Sequence, residues 1–302
     1  MTAAHHSDWL VQVVQNGERL VAGAKGSEIP VVHVAGTAFE MGVAHGKLMA
    51  KELKEFLPLV SAYMKDALPA DQIPPIFKAA FAKGGVAACL DAVFNLTAPF
   101  IPPYFLEEQR GLAAGSGLDE LEFRRLSMMG ELTKMGCTML GAWGPATAKG
   151  PTKGGLLQLR ALDWDTDGPF QAFPLLLVRH PSNPEEGHAY ASVSYPGMVR
   201  TTTVDSAFAN TAMLSRTCSV QVGSITGYSV ADVAISEKVW LHYTGTSTYA
   251  GTPTTFVLRE ILQFANTLAD AKSRVTEAAR TNSIFVGENQ QISVYLVRQS
   301  AQ

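Results

Sequence analysis

The stretch "KMGCTMLGAWGPATAKG" (134–150) decides how this chain is read. Before it, "LDELEFRRLSMMGEL" (118–132) places apolar residues at helical spacing. After it come small, aromatic, Gly and Pro residues, which suit a strand and a turn. Cys137 therefore sits at a seam between helix and strand, with Gly136 before it and Thr138 after it. A lone cysteine is ordinarily a small buried hydrophobe. One placed at a break in the chain can instead be a nucleophile.

Working outward, the upstream part reads as a short buried strand, "IPVVHVAG" (29–36), and then helices. "TAFEMGVAHGKLMAKELKEFLPLVSAYM" (37–64) reads as one long amphipathic helix. Thr37 is its expected N-cap, with Glu40 completing a capping box. Residues 66–100 are Ala-rich and broken by "IPP" and "KGG", so short helices with loops are expected there. "FLEEQRGLAAGSGLDELEFRRLSMMGEL" (105–132) reads as two helices split at "GSG".

Downstream the pattern switches to strands: "LLQLRAL", "AFPLLLVRH", "HAYASVS", "VGSITGYS" and "VAISEKVWL". Two helices follow, "TPTTFVLREILQFAN" and "TLADAKSRVTEAAR", and then a strand pair, "SIFVGE" and "QISVYLV". Helices, strands, two helices and strands in that order make an α+β protein, with sheets packed on each other and covered by helices.

The totals narrow the function classes. The 302 residues are 47% hydrophobic and 17% charged, enough apolar content for a sizeable core. The net charge is -3 and no long basic run occurs, which argues against a nucleic-acid partner. Three cysteines, Cys89, Cys137 and Cys218, do not make a disulfide framework. The start has no basic region followed by an apolar run, so no signal peptide is read and the compartment stays open. "AVFNLTAPFIPPYFL" (92–106) is too short and too rich in proline to span a bilayer. Its Asn95 heads a glycosylation tripeptide that matters only in a secreted chain.

Several motifs in order resemble the penicillin acyltransferase family of N-terminal-nucleophile (Ntn) hydrolases, with acid ceramidase as a more distant relative. "GTAFEMGVAHG" (36–46) resembles the opening Gly-x-x-x-Glu-x-Gly-x-x-His-Gly pattern. "EEQRGLAAGSG" (107–117) is similar to a Glu-x-x-Gly-hydrophobic-Ala-x-Gly segment. "GCTMLGAWGPATAKG" (136–150) resembles the self-cleavage site, "RALDWD" (160–165) the Arg-x-x-Asp-aromatic motif, and "GTPTTFVLREIL" (251–262) a later helix start. The resemblance covers roughly residues 30 to 298.

The resemblance implies a four-layer αββα sandwich, with an incomplete second sheet at the C-terminus. Residues 1–136 would form a helical pro-segment and 137–302 the nucleophile-bearing part, together making one domain. It implies autocatalytic cleavage between Gly136 and Cys137, which leaves Cys137 with both a thiol and a free α-amino group. A thiol near its free pKa of about 8.5 needs a base. An α-amino group titrates at about 7.7–8.0, near working pH. Gly136, lacking Cβ, suits a strained scissile bond.

By the same resemblance Arg160 orients thiolate and substrate, and Asp163 contacts the new amino group. Their odd spacing calls for a bulge near Leu162 if both are to face the site. A surface ion pair is the plain alternative. Asn282 is the expected oxyanion donor, and Tyr228 and Ser229 are expected to line the pocket. His45 reads as a satisfied helix histidine, and His180 and His188 as exposed residues flanking a hairpin loop. No zinc-like spacing occurs, so neither metal nor cofactor is expected.

The expected substrate is a small-molecule linear amide, with an N-acyl lipid or fatty amide favoured by the apolar 92–106 stretch. Contact with a membrane is a weaker expectation from the same residues. The expected partners are the two fragments of the chain itself. The competing readings are an uncut, inactive binding or regulatory protein, and a papain-like thiol hydrolase, for which only His180, His188 and His242 are available. "MVRTTTVDSAFANTAMLSRTCSV" (198–220) reads as an insertion relative to the family.

Overall fold

A computed structural model describes residues 9–133, 136–150, 153–155, 157–163, 168–198, 226–231, 233–239, 248–281, 284–288 and 293–297. The chain is α+β. It opens with a hairpin, β1 (Leu10–Val14) and β2 (Gly17–Ala22), then β3 (Ile29–Gly36). Five helices follow: α1 (Ala38–Leu48), α2 (Ala50–Ala67), α3 (Lys78–Thr97), α4 (Pro103–Ser116) and α5 (Glu120–Leu132). Next come β4 (Gly136–Ala142), β5 (Leu157–Asp163), β6 (Leu175–Pro181), β7 (Tyr190–Ser194), β8 (Thr226–Ser229) and β9 (Ala234–Val239). Helices α6 (Thr254–Phe264) and α7 (Leu268–Glu277) precede β10 (Ile284–Glu288) and β11 (Ser293–Val297).

Nine strands form one sheet in the order β1-β2-β3-β6-β7-β8-β9-β10-β11. All neighbours are antiparallel except β3 and β6, which run parallel. The segment before residue 136 is therefore not wholly helical. It gives three strands to the same sheet as the later segment, and β3–β6 is where the two meet.

Strand alternation sorts the sheet into two faces. Val32, Val34, Leu177, Arg179, Tyr190 and Ile235 belong to one face, and all are buried. Helices α1, α4 and α6 cover it: Val32 and Val34 share a core with Met41, Ala44 and Leu48 of α1, while Ile235 packs with Leu258, Ile261 and Leu262 of α6. The long helix expected from 37 breaks at Met49 (φ -117, ψ 19), between α1 and α2. The Thr37–Glu40 capping box forms as expected. In α3 the pair Gly84–Gly85 kinks a 20-residue helix rather than ending it.

The small residues of the first two motifs have one physical purpose. A Cβ on Gly42 would lie 2.2 Å from the Glu108 carbonyl oxygen, one on Gly111 2.1 Å from that of Phe39, and one on Gly115 2.2 Å from that of Val43. Helices α1 and α4 thus touch backbone to backbone, and only glycine permits that approach.

Strands β4 and β5 form a separate two-stranded hairpin. It lies against β9. Both edges of β9 are taken, by β8 and β10, and one of its faces is taken by α6. The hairpin therefore lies over the face away from the helices. Among the described residues the layers run helices, nine-stranded sheet, hairpin.

Candidate active site

Gly136 and Cys137 open β4 directly, with only residues 134 and 135 between the strand and Thr133, the C-cap of α5. The pairing with β5 is continuous: Gly136 faces Asp163, Cys137 faces Leu162, and Met139 faces Arg160. No bulge interrupts it, so the expected kink near Leu162 is not present. Cross-strand partners share a face, and the period is two. Arg160 therefore belongs to the same face of the hairpin as Cys137, two residues further along. Asp163 belongs to the other face, directly across from Gly136. Backbone register alone brings the three positions to one end of one hairpin.

Of the expected pocket residues, Asn282 lies outside the described residues, as does Cys218. Tyr228 pairs with Ala191 and Ala234 and belongs to the face over which the hairpin lies. Ser229 is corrected. It stands opposite Tyr190, fully buried on the helix-covered side, and its Oγ has no hydrogen-bond partner. Successive strand residues point to opposite faces, so the two cannot line one pocket on the hairpin side. Beneath the hairpin, β9 brings two buried polar residues that sequence reading passed over: Ser236 on the hairpin side and Glu237 on the helix side. The signal for Glu237 was available, since a carboxylate at a strand's inward position is rarely left buried without a purpose.

Behind the sheet lies a buried charged cluster. The Glu108 carboxylate of α4 accepts from Arg179 Nε at 2.9 Å and from Arg259 Nη2. Arg179 also donates to Ser192 Oγ at 3.2 Å and to the Met198 carbonyl at 3.3 Å. Arg259 donates to Gln263 Oε1 at 3.2 Å and stacks over the Phe105 ring at 4.7 Å. All three charged side chains are fully buried. Burial pushes the Glu108 carboxyl up, but the two guanidiniums outweigh it and hold it below the ordinary carboxylate range.

His45 sits beside this cluster, fully buried, with Nε2 accepting from the Gly197 N–H at 3.4 Å. Burial first, and then the Arg179 charge, drive its pKa down to about 3. It is a neutral core histidine whose Nδ1 has no hydrogen-bond partner, so only one of its two nitrogens is satisfied.

His188 is half-buried rather than exposed, and its Nε2 is enclosed. His180 is exposed as expected. Cys89 is a core thiol, donating to the Phe77 carbonyl at 3.7 Å, with its pKa raised by burial. Among the described residues no group of three or more His, Cys, Asp or Glu is gathered to hold a metal ion, and no helix is long and apolar enough to cross a membrane.

No family model matches the chain. It is similar to two proteins of Dictyostelium discoideum. It is 32% identical over 279 residues to protein dcd1B, covering 90% of this chain and 50% of that one. It is 32% identical over 290 residues to protein dcd1A, covering 92% of this chain and 59% of that one. The chain thus spans between half and three fifths of the length of these curated relatives.

Proposed function

We propose that this chain is an autoprocessing cysteine amidase or acyltransferase of the Ntn type, acting on a linear, non-peptide amide through a Cys137 acyl-enzyme. The proposed architecture is an αββα sandwich in which the β4–β5 hairpin belongs to the second sheet. The observation that carries the reading is the hairpin register. It opens a strand on Gly136–Cys137, puts Arg160 on the face of Cys137, and sets Asp163 across from Gly136.

In self-cleavage the Cys137 sulfur attacks the Gly136 carbonyl carbon, and the peptide C–N bond breaks to leave a thioester and a free α-amino group. Water then hydrolyses the thioester. In turnover that amino group takes the thiol proton as the sulfur attacks the substrate carbonyl. It returns the proton to the departing amine. Water or an acceptor amine then takes the acyl group and the thiol is restored. Arg160 supplies positive charge near the thiolate, and Asp163 fixes the amino group. The oxyanion calls for a donor such as Asn282. The substrate class proposed is an N-acyl lipid or fatty amide.

The test is turnover of a panel of N-acyl amides by the wild type, Cys137→Ser and Cys137→Ala. Alanine is expected to abolish hydrolysis while unfolding stability changes by about 1 kcal/mol. Unchanged hydrolysis in Cys137→Ala would defeat the assignment. An intact chain that hydrolyses nothing but binds an acyl lipid would point to the inactive reading instead.

A further inference from the structure

The β3–β6 seam carries a feature that the amidase reading does not use. His33 of β3 and His180 of β6 lie on the side of the sheet away from the helices. Their rings stack at 13° with centroids 5.4 Å apart, and His33 Nδ1 and His180 Nε2 approach to 3.1 Å. On the next strand, Glu18 of β2 is directly across from His33 in the register. The Glu18 charge also acts on His180, opposing the fall in pKa that burial produces there. Two imidazoles and a carboxylate therefore occupy three adjacent strands on one face.

We propose that His33 and His180 form a two-nitrogen site for a borderline divalent transition metal such as Zn²⁺. Bite geometry supports it. Two nitrogens each about 2.0–2.1 Å from one ion stand about 3.4 Å apart at a tetrahedral angle and about 2.9 Å apart when cis in a square plane. The observed 3.1 Å falls between these values. Imidazole nitrogen suits zinc, copper and nickel, and the Glu18 charge favours a cation over the pair. With two protein nitrogens, the remaining positions fall to water, on the face that also carries Glu18, the register partner of His33. An ion here would join β3, which precedes Cys137 in the chain, to β6, which follows it. The site does not depend on whether the chain is cut.

The test uses the full chain with His5→Ala and His6→Ala, which removes the adjacent histidine pair near the N-terminus as a competing binder. Zinc alone is titrated calorimetrically at pH 7.5, and Tm is followed with and without zinc. One saturable site and a zinc-dependent rise in Tm are expected. Adding His33→Ala or His180→Ala should each weaken the site by at least about tenfold, since even outer partners of a metal site cost 10–100-fold when removed. His33→Gln checks that any loss follows the imidazole and not the fold, because its Tm without zinc should match the parent. Absence of a saturable site in the parent, or a site unchanged in both single variants, would overturn the proposal and leave a histidine pair that only shares a proton.

Discussion

The two faces of the nine-stranded sheet are built on different terms. The helix side is buried and locked: Arg179 and Arg259 are fully buried and both bond the buried Glu108, and glycines weld α1 to α4. On the other side, among the described residues, Leu20, Ala22 and Val31 form a small buried cluster over β2 and β3, His33 is half-buried and His180 exposed at the β3–β6 seam, and the β4–β5 hairpin lies over β9. Leu140 and Trp143 at the far end of β4 are 56% and 47% exposed. The contrast separates stability from chemistry. Residues that hold the fold sit on the helix side, and positions proposed to react sit on the hairpin.

The largest effect that would break this contrast is expected behind the sheet. Glu108→Ala strands two buried guanidiniums, and the loss of one partner from such a cluster costs about 3–5 kcal/mol. Denaturant unfolding should show that loss. A change under about 1 kcal/mol would mean the cluster is not what holds α4 to β6 and α6.

Next in size are the hairpin positions. Arg160→Ala and Asp163→Ala should leave unfolding stability near that of the wild type while cutting self-cleavage or turnover by about 10²–10³, or roughly 2.7–4 kcal/mol in the barrier. A stability loss with full activity would reverse the division between the two faces and leave the two residues as structural charges on opposite faces of the hairpin.

A smaller effect is expected from pH. His45 is held neutral in the fold, down to a pKa of about 3, while the unfolded chain takes up a proton near pH 6.5. Its contribution is complete above about pH 6.5 and is lost as pH falls toward 3. Each pH unit costs up to about 1.4 kcal/mol, or about 2–3 kcal/mol by pH 4.5. Unfolding free energies at pH 7 and 4.5 should show the fall, and His45→Gln should flatten it whatever its own baseline. An equal slope in the variant would remove His45 as the source.

Much of the helix side was legible because its signals are local. The Thr37–Glu40 capping box, the "GSG" split and the α6–α7 pair are each set within a few residues. The β1–β2 hairpin was harder to read: its two-residue turn is Gln15–Asn16, where Asn16 takes the positive φ (63), and Gly17 already opens β2, so the Asn-Gly pair is out of register with the turn. The Ser229 assignment failed against simple strand alternation, which the sequence already contained.

Other features could not be read locally. Glu108 meets Arg179 and Arg259 across 71 and 151 residues, and His33 meets His180 across 147. Those pairings exist only once β3 lies parallel to β6 and α4 lies over the sheet. The continuous Cys137–Leu162 register likewise emerges from hairpin geometry, while the motif spacing alone called for a bulge.

The measurement that bears most directly on the whole account is the intact mass of purified wild-type chain after incubation at mildly acidic to neutral pH, with N-terminal sequencing of any fragment. The account predicts two fragments that stay together in native solution, the second beginning at Cys137, and a single uncut chain for Cys137→Ala. A wild-type chain that keeps one intact mass throughout, or that is cut anywhere other than between Gly136 and Cys137, would contradict it.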